Sequence, residues 1–275
     1  MRTLISPAQS GIGVYDDIAE NKRSLKVKSH MVRNRKAVES AYVNYISAVP
    51  AVDTLVPIHL LKSHKKSLIH AYEKPTSALK TLRDELFEAA KKSRCPFCQI
   101  SIHGTLDHYL PKEKYPEFSV FPQNLVPACD ECNRNKRALI VDENTAVRLF
   151  IHPYYDSIPN VNFISARLRV KKRTLTITFE PYHNPSLSDA QYTHVSNHFR
   201  TLGLAARYHK SCLTELSDIR DWIKALGDDD AMKLKRKLVE QSSVYSNVGH
   251  NYWRRILFET LAADDEFLRQ NYKYL

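Results

Sequence analysis

Two Cys-x-x-Cys pairs, Cys95/Cys98 and Cys129/Cys132, stand 30 residues apart, and no other feature limits the possible folds of this chain so strongly. Each pair makes a tight turn able to aim two thiolates at one point, and four sulfurs complete the tetrahedral shell of Zn²⁺. The N-terminus has no basic segment leading into an apolar stretch and a small-residue cleavage site, and no apolar run approaches spanning length. The expectation is therefore a cytoplasmic protein with no membrane association, a reducing setting in which paired cysteines hold metal rather than form disulfides. A closed four-sulfur site has no open coordination position, so the zinc is expected to be structural. Cys212, the fifth cysteine, falls in a helix-like stretch and reads as a small buried apolar residue.

Composition bounds the rest. The 275 residues are 43% hydrophobic, enough to bury a core and to exclude a disordered chain. Forty-one Lys plus Arg against 30 Asp plus Glu give a net charge of +11, which suits a polyanionic partner. The charged residues from Lys22 to Lys36 are all basic; this reads as a solvated helix face, with phosphate contact as the rival reading. Residues 1–20 look like a loose or strand-like lead-in. Helix formers dominate Val32–Val49 and Thr76–Lys92, with Pro50, Pro57 and Pro75 between them. Leu168–Val170 and Thr174–Phe179 alternate around Lys171–Arg173 as a hairpin does. Ser186 or Ser188 then caps a helix carrying Val195, Phe199, Leu202 and Ala206, and further helices are expected over Asp218–Leu226 and Asn251–Tyr272. The aromatic residues near the C-terminus read as core.

Between the cysteine pairs lies Thr105-Leu106-Asp107-His108-Tyr109-Leu110-Pro111-Lys112, followed by Asn124-Leu125-Val126-Pro127 and, after Cys132, Asn133-Arg134-Asn135-Lys136. An adjacent Asp and His supply a hard oxygen ligand and an imidazole base. A lone Asp-His pair is weak evidence, but the whole ordered set is specific. Lys136 and Arg137, one turn beyond Asn133, and Lys112 and Lys114 are either nucleic-acid-binding residues or helix-surface charges. His152 either walls the site or belongs to a packed turn, and the strand-like Val147–Ile151 precedes it. His103 is expected at the surface.

The stretch from Cys95 to Ala138, about 45 of the 275 residues, resembles the HNH endonuclease family in its zinc-containing form. The resemblance implies a ββα-metal module whose first strand carries Asp107 and His108, whose loop carries Asn124, and whose helix carries Asn133 where many members have His: an H-N-N variant. It further implies His108 as the base, Asp107 and Asn133 as ligands of a catalytic Mg²⁺ or Mn²⁺, and Asn124 as the group orienting the His108 loop or ring. The expected fold is α+β, a mainly helical chain carrying that module with its Cys₄ zinc site and a small β-hairpin after it. Its parts are 1–92, mostly helical; 93–150, the module; and 151–275, hairpin plus helices. The implied activity is phosphodiester hydrolysis in nucleic acid, DNA foremost. The motifs are similar to those of bacterial HNH proteins of antiphage defence, some of which work with an ATPase partner. Two rivals remain: a zinc-stabilised module that binds nucleic acid without cutting it, and a subunit silent until a partner activates it.

Overall fold

The computed structural model describes residues 1–90, 94–157, 160–226 and 231–275. Helices dominate, and two small antiparallel sheets lie among the described residues, as an α+β reading expects. The chain divides into two compact units, Arg2–Ser157 and the part beyond Ser157. The first unit takes in both the N-terminal helices and the cysteine-rich segment.

Its first helix, α1 (Gly11–Glu20), corrects the expectation of a loose lead-in. Ser10 caps it by accepting the Gly13 N–H, and Tyr15, Ile18 and Ala19 form its buried face. Gly11 is required by a close approach, since a Cβ there would stand 2.4 Å from Phe121 Cε2. Helix α2 (Leu25–Ala48) starts ahead of the expected Val32, on the cap of Ser24. Within the basic run, Lys22 is buried, and Arg35 is tied to Asp16 and Glu39. Helix α3 (Lys62–Glu73) lies in the stretch between the two expected helices, where the prolines concealed it. Helix α4 (Ser77–Ala89) follows the cap of Thr76; Lys92, the expected end of that helix, lies outside the described residues.

Strand β1 (Thr105–His108) pairs antiparallel with β2 (Leu125–Ala128), and helix α5 (Asp130–Lys136) follows directly. An aromatic core fixes the chain between the strands. Tyr42 stacks on Phe121 with ring centroids 4.0 Å apart, and Tyr45 meets Phe118 and Phe121 edge-on. Val147–Ile151 is not a strand; it holds only an isolated bridge between Val141 and Arg148. Arg148 instead spends its guanidinium on Asp156 and the Pro50 carbonyl.

In the second unit, β3 (Ile164–Lys171) and β4 (Thr174–Pro181) form the expected hairpin, somewhat longer than the sequence pattern suggests. Its two-residue turn holds Lys172 and Arg173 at positive φ, the geometry that matches strand twist. Leu175, Ile177 and Phe179 make the buried stripe of β4. Ser188, rather than Ser186, caps α6 (Asp189–Thr201), with a reciprocal bond from Gln191. Helix α7 (Leu204–Leu226) absorbs the expected Asp218–Leu226 helix and buries Cys212 completely. After α8 (Ala231–Val244), the expected Asn251–Tyr272 helix is split into α9 (Trp253–Ala263) and α10 (Asp265–Arg269). The break is at Asp264, whose carboxylate caps α10 by accepting the Phe267 N–H. Tyr252, Trp253, Phe258 and Phe267 are buried as core. No helix among the described residues is long and apolar enough to cross a membrane.

Candidate functional site

The four paired cysteines converge. Cys95, Cys98, Cys129 and Cys132 are all buried, and their sulfurs lie within 4.8 Å of one another. Local backbone explains the convergence. Gln99 takes φ 56° and donates its N–H to the Cys95 carbonyl, which closes the first turn, while the Ile100 N–H points at Cys98 Sγ. Cys129 is the N-cap of α5 and Cys132 sits in its first turn. Cys98 Sγ and Cys129 Sγ are 3.7 Å apart. Zn–S bonds of ~2.3 Å in a tetrahedron demand ~3.8 Å between sulfurs, so the cluster could hold a metal such as zinc. The four thiols form one coupled set: bonds from Cys132 and Cys95 lower Cys129 and bonds from Cys129 and Cys132 lower Cys98, while burial raises Cys95 and bonds from its neighbours raise Cys132.

The same short helix faces a second site. Asp107, His108, Pro111, Lys112, Glu113, Asn133, Arg137 and Ala138 line a cleft of about 280 Å³. Strand β1 contributes the Asp-His pair and α5 contributes Asn133, whose Nδ2 donates to Thr105 Oγ1 at 3.2 Å and so fixes the amide against β1. Asp107 is buried, and burial raises its carboxyl while Lys136 pulls the other way. Lys136 Nζ lies 3.1 Å from Asp107 Oδ2 as an ion pair without the alignment of a hydrogen bond, so that oxygen is a buried acceptor with no hydrogen-bond donor. Lys136 itself is 1% exposed and donates to the His108 carbonyl at 2.8 Å. Its position corrects the reading of Lys136 as a nucleic-acid contact, because a charge held inside between Asp107 and β1 cannot reach a phosphate outside.

The His108 ring is fixed on both sides. A carbonyl can only accept, so the 2.8 Å contact from Nε2 to the Ser119 oxygen makes Nε2 the protonated nitrogen and leaves the lone pair on Nδ1. Tyr72 of α3 meets the ring edge-on at 4.3 Å. Burial lowers His108 to about 4, so the imidazole is neutral at pH 7. Asn124 is fully buried and lies under this loop: Oδ1 accepts the Leu110 N–H at 2.8 Å, and Nδ2 donates to the Leu110 carbonyl at 3.0 Å. Asn124 therefore positions the chain just after His108 and does not line the cleft.

Of the remaining expected residues, Arg137 ends α5 at φ 50° and ψ −137°, an uncommon conformation for a side chain larger than glycine, and it is exposed at the cleft. Lys112 is half-buried there. Burial works against its charge, but Glu113 and Glu73 outweigh burial and hold it above the ordinary lysine range. Lys114 is exposed outside the cleft lining. His152 is the packed turn: its Nε2 meets the Tyr45 hydroxyl at 3.0 Å and its ring stacks on Tyr109 at 3.9 Å. His103 is not at the surface; it is buried and stacked on Phe87. Sequence reasoning missed Tyr72, Glu73, Glu113 and the Ser119 carbonyl. Tyr72 and Glu73 belong to a helix with no motif, and a backbone carbonyl has no residue type to signal it. Only Glu113, adjacent to Lys112, offered a clue.

No family model matches the chain, and no solved structure does. Protein ea31 of Escherichia phage lambda is similar, 28% identical over 239 residues that cover 79% of this chain and 76% of the phage protein.

Proposed function

We propose that this chain is an HNH-type endonuclease, an H-N-N variant, that hydrolyses phosphodiester bonds in nucleic acid, DNA foremost, with structural Zn²⁺ at the four cysteines and Mg²⁺ or Mn²⁺ at the cleft. The observation that carries the reading is the single cleft shared by Asp107, His108 and Asn133, with His108 neutral and its Nδ1 lone pair left uncommitted. A pure binding module has no use for a buried imidazole of fixed tautomer beside a buried carboxylate in the same cleft.

Asp107 and the Asn133 amide are hard oxygen donors, and two such donors plus substrate phosphate is the kind of set Mg²⁺ accepts. Bound there, the divalent ion would neutralise charge building on the phosphate and the departing oxygen. His108 Nδ1 takes a proton from the attacking water, the water oxygen bonds to phosphorus, and the bond to the leaving 3′ oxygen breaks. Ser119 and Tyr72 keep the ring aimed, Asn124 holds the loop behind it, and Lys112 and Arg137 present charge to the flanking phosphates. By the same resemblance the protein acts in antiphage defence, where some similar proteins work with an ATPase partner, and the chain's lack of a spanning segment among its described residues fits a cytoplasmic setting.

One observation favours a second reading, a subunit that needs a partner before it cuts: the Lys136 ammonium already neutralises Asp107. Purified protein incubated with plasmid, single-stranded DNA and RNA, with Mg²⁺, Mn²⁺ or no added divalent ion, separates the two. Divalent-dependent cutting by the free chain supports the enzyme. No cutting under any condition, with intact zinc content, favours the partner-activated subunit.

A further inference from the structure

A second cleft, of about 760 Å³, opens in the Arg2–Ser157 unit between the end of α1, the start of α2, the end of α3 and the start of α4. Arg23, His70, Lys74 and Lys80 contribute to its lining, and no acidic residue does. Arg23, Lys74 and Lys80 are exposed. The Nδ1 of His70 is shielded from solvent and meets no hydrogen-bond partner.

The carbonyl ends of α1 and α3 are negative features of such a cleft, and both are met by lysines, the first by Lys28, which donates to the Glu20 carbonyl. Lys22, 7% exposed, donates to the Ala71 carbonyl at 2.8 Å and to the Lys74 carbonyl. A lysine buried in this way cancels the helix end from beneath, and the cations above it face solvent without an internal counter-charge in the lining. The walls are also braced: Ser77 Oγ donates to Asn21 Oδ1 at 3.3 Å, which joins the end of α1 to the start of α4.

The last turn of α3 links this cleft to the other one. Tyr72 meets the His108 ring and Glu73 lies 3.5 Å from Lys112, while His70 and Lys74, on the same turn, line the basic cleft. Arg83 of α4 lies over the Tyr72 ring at 4.4 Å and donates to the Tyr72 carbonyl, so the turn is held as a rigid partition. We infer that the basic cleft is a binding site for the phosphodiester backbone of nucleic acid, holding the strand beside the His108 cleft. The inference rests on the nuclease reading for its substrate, and within the basic run from Lys22 to Lys36 it assigns phosphate contact to Arg23, joined by Lys74 and Lys80.

The test measures binding apart from cutting. Full-length His108→Ala protein, without added divalent ion, is titrated with a short labelled DNA duplex across a salt series. The triple substitution Arg23→Gln, Lys74→Gln, Lys80→Gln is expected to weaken binding by roughly tenfold or more and to flatten the salt slope by about 2.7, at about 0.9 per phosphate contact. A control triple on α8, Lys233→Gln, Lys235→Gln, Arg236→Gln, removes the same charge elsewhere and should change little. Zinc content and melting confirm that both triples fold. Unchanged affinity in the cleft triple overturns the site, and equal losses in both triples reduce it to net charge. ATP and inorganic phosphate are tested alongside; if either stabilises wild type but not the cleft triple while DNA binding is unaffected, the cleft takes free phosphates and the inference fails. A wild-type protein that binds DNA through the cleft but cuts nothing leaves the inference standing and brings down the reading of the free chain as an enzyme.

Discussion

Cys132 and Asn133 are neighbours on α5 and serve two sites of opposite construction. The sulfur cluster is closed and buried, and all of its donors come from two short turns. The cleft is open and lined by oxygen and nitrogen groups, and its one imidazole is held by a carbonyl from the 109–124 loop and a ring from α3. The first site draws on two short turns alone, and a metal held there would work as a staple between them. The second needs distant chain to keep its groups in place, which is the usual demand of chemistry on a site. Damage should therefore spread differently from each: global from the cluster, and confined to rate from the cleft.

The largest effect is expected from Cys129→Ser. Structural zinc contributes apparent binding free energy of ~10–16 kcal/mol, comparable to the ~5–15 kcal/mol stability of a whole domain. The variant should lose its metal and melt far below wild type, and activity should vanish with the fold. Metal analysis and thermal denaturation check this; native protein free of zinc, or a variant that melts normally, would refute the staple.

His108→Ala tests the other side of the comparison. Zinc should stay bound while the cleavage rate falls by about 10² to 10⁴, the typical worth of a general base. Wild type adds a pH signature. The base works only when neutral, and burial holds His108 at about 4, so activity should be flat through neutrality and lost as pH falls through about 4. An acid limb near the ordinary histidine value of about 6.5 would mean that the ring is solvated when it reacts.

Asn124→Ala lies between the two kinds of damage. It leaves the buried Leu110 N–H and carbonyl without their side-chain partner, at about 1–3 kcal/mol for each group stranded. Melting should fall by that order, zinc should stay, and the rate should drop through a displaced His108 loop. A variant with wild-type melting and a lost rate would make Asn124 a participant in the chemistry instead of a support.

What the sequence disclosed follows the same division. The Cys-x-x-Cys spacing, the Asp-His pair, the hairpin and the Ser188 cap are local signals, and local signals survive without the fold. Helix α1 was hidden because Gly11 and Gly13 argue against a helix unless Phe121 is known to press on the first. Lys136 looked like a surface charge, since nothing in its neighbours says that α5 turns it inward onto Asp107. His103 was misread for a similar reason, because Phe87 lies on a separate helix. The supports of the cleft come from Tyr45, Tyr72 and Ser119, which only tertiary packing brings to it.

Tyr72 gives the smallest effect and the finest test of whether the cleft depends on distant chain. Its ring centroid lies 4.3 Å from that of His108 in an edge-on pair, and its hydroxyl reaches the Leu106 carbonyl at 3.4 Å, a long and weak bond. Tyr72→Phe keeps the ring and loses only that bond, so rate and stability should stay close to wild type. Tyr72→Leu removes the aromatic pair, worth about 0.5–1.5 kcal/mol, and admits water to one face of the imidazole. Desolvation is the largest cause of the depressed His108 value, so partial hydration must raise it. The rate at neutral pH should fall no more than about tenfold, the equivalent of about 1.4 kcal/mol, while the acid limb moves upward from about 4. The upward movement separates loss of a wall from loss of mere packing, which would lower the rate at every pH alike. If Tyr72→Leu and Tyr72→Phe share one pH profile, α3 does not shape the base, and the cleft is as local in its construction as the sulfur cluster.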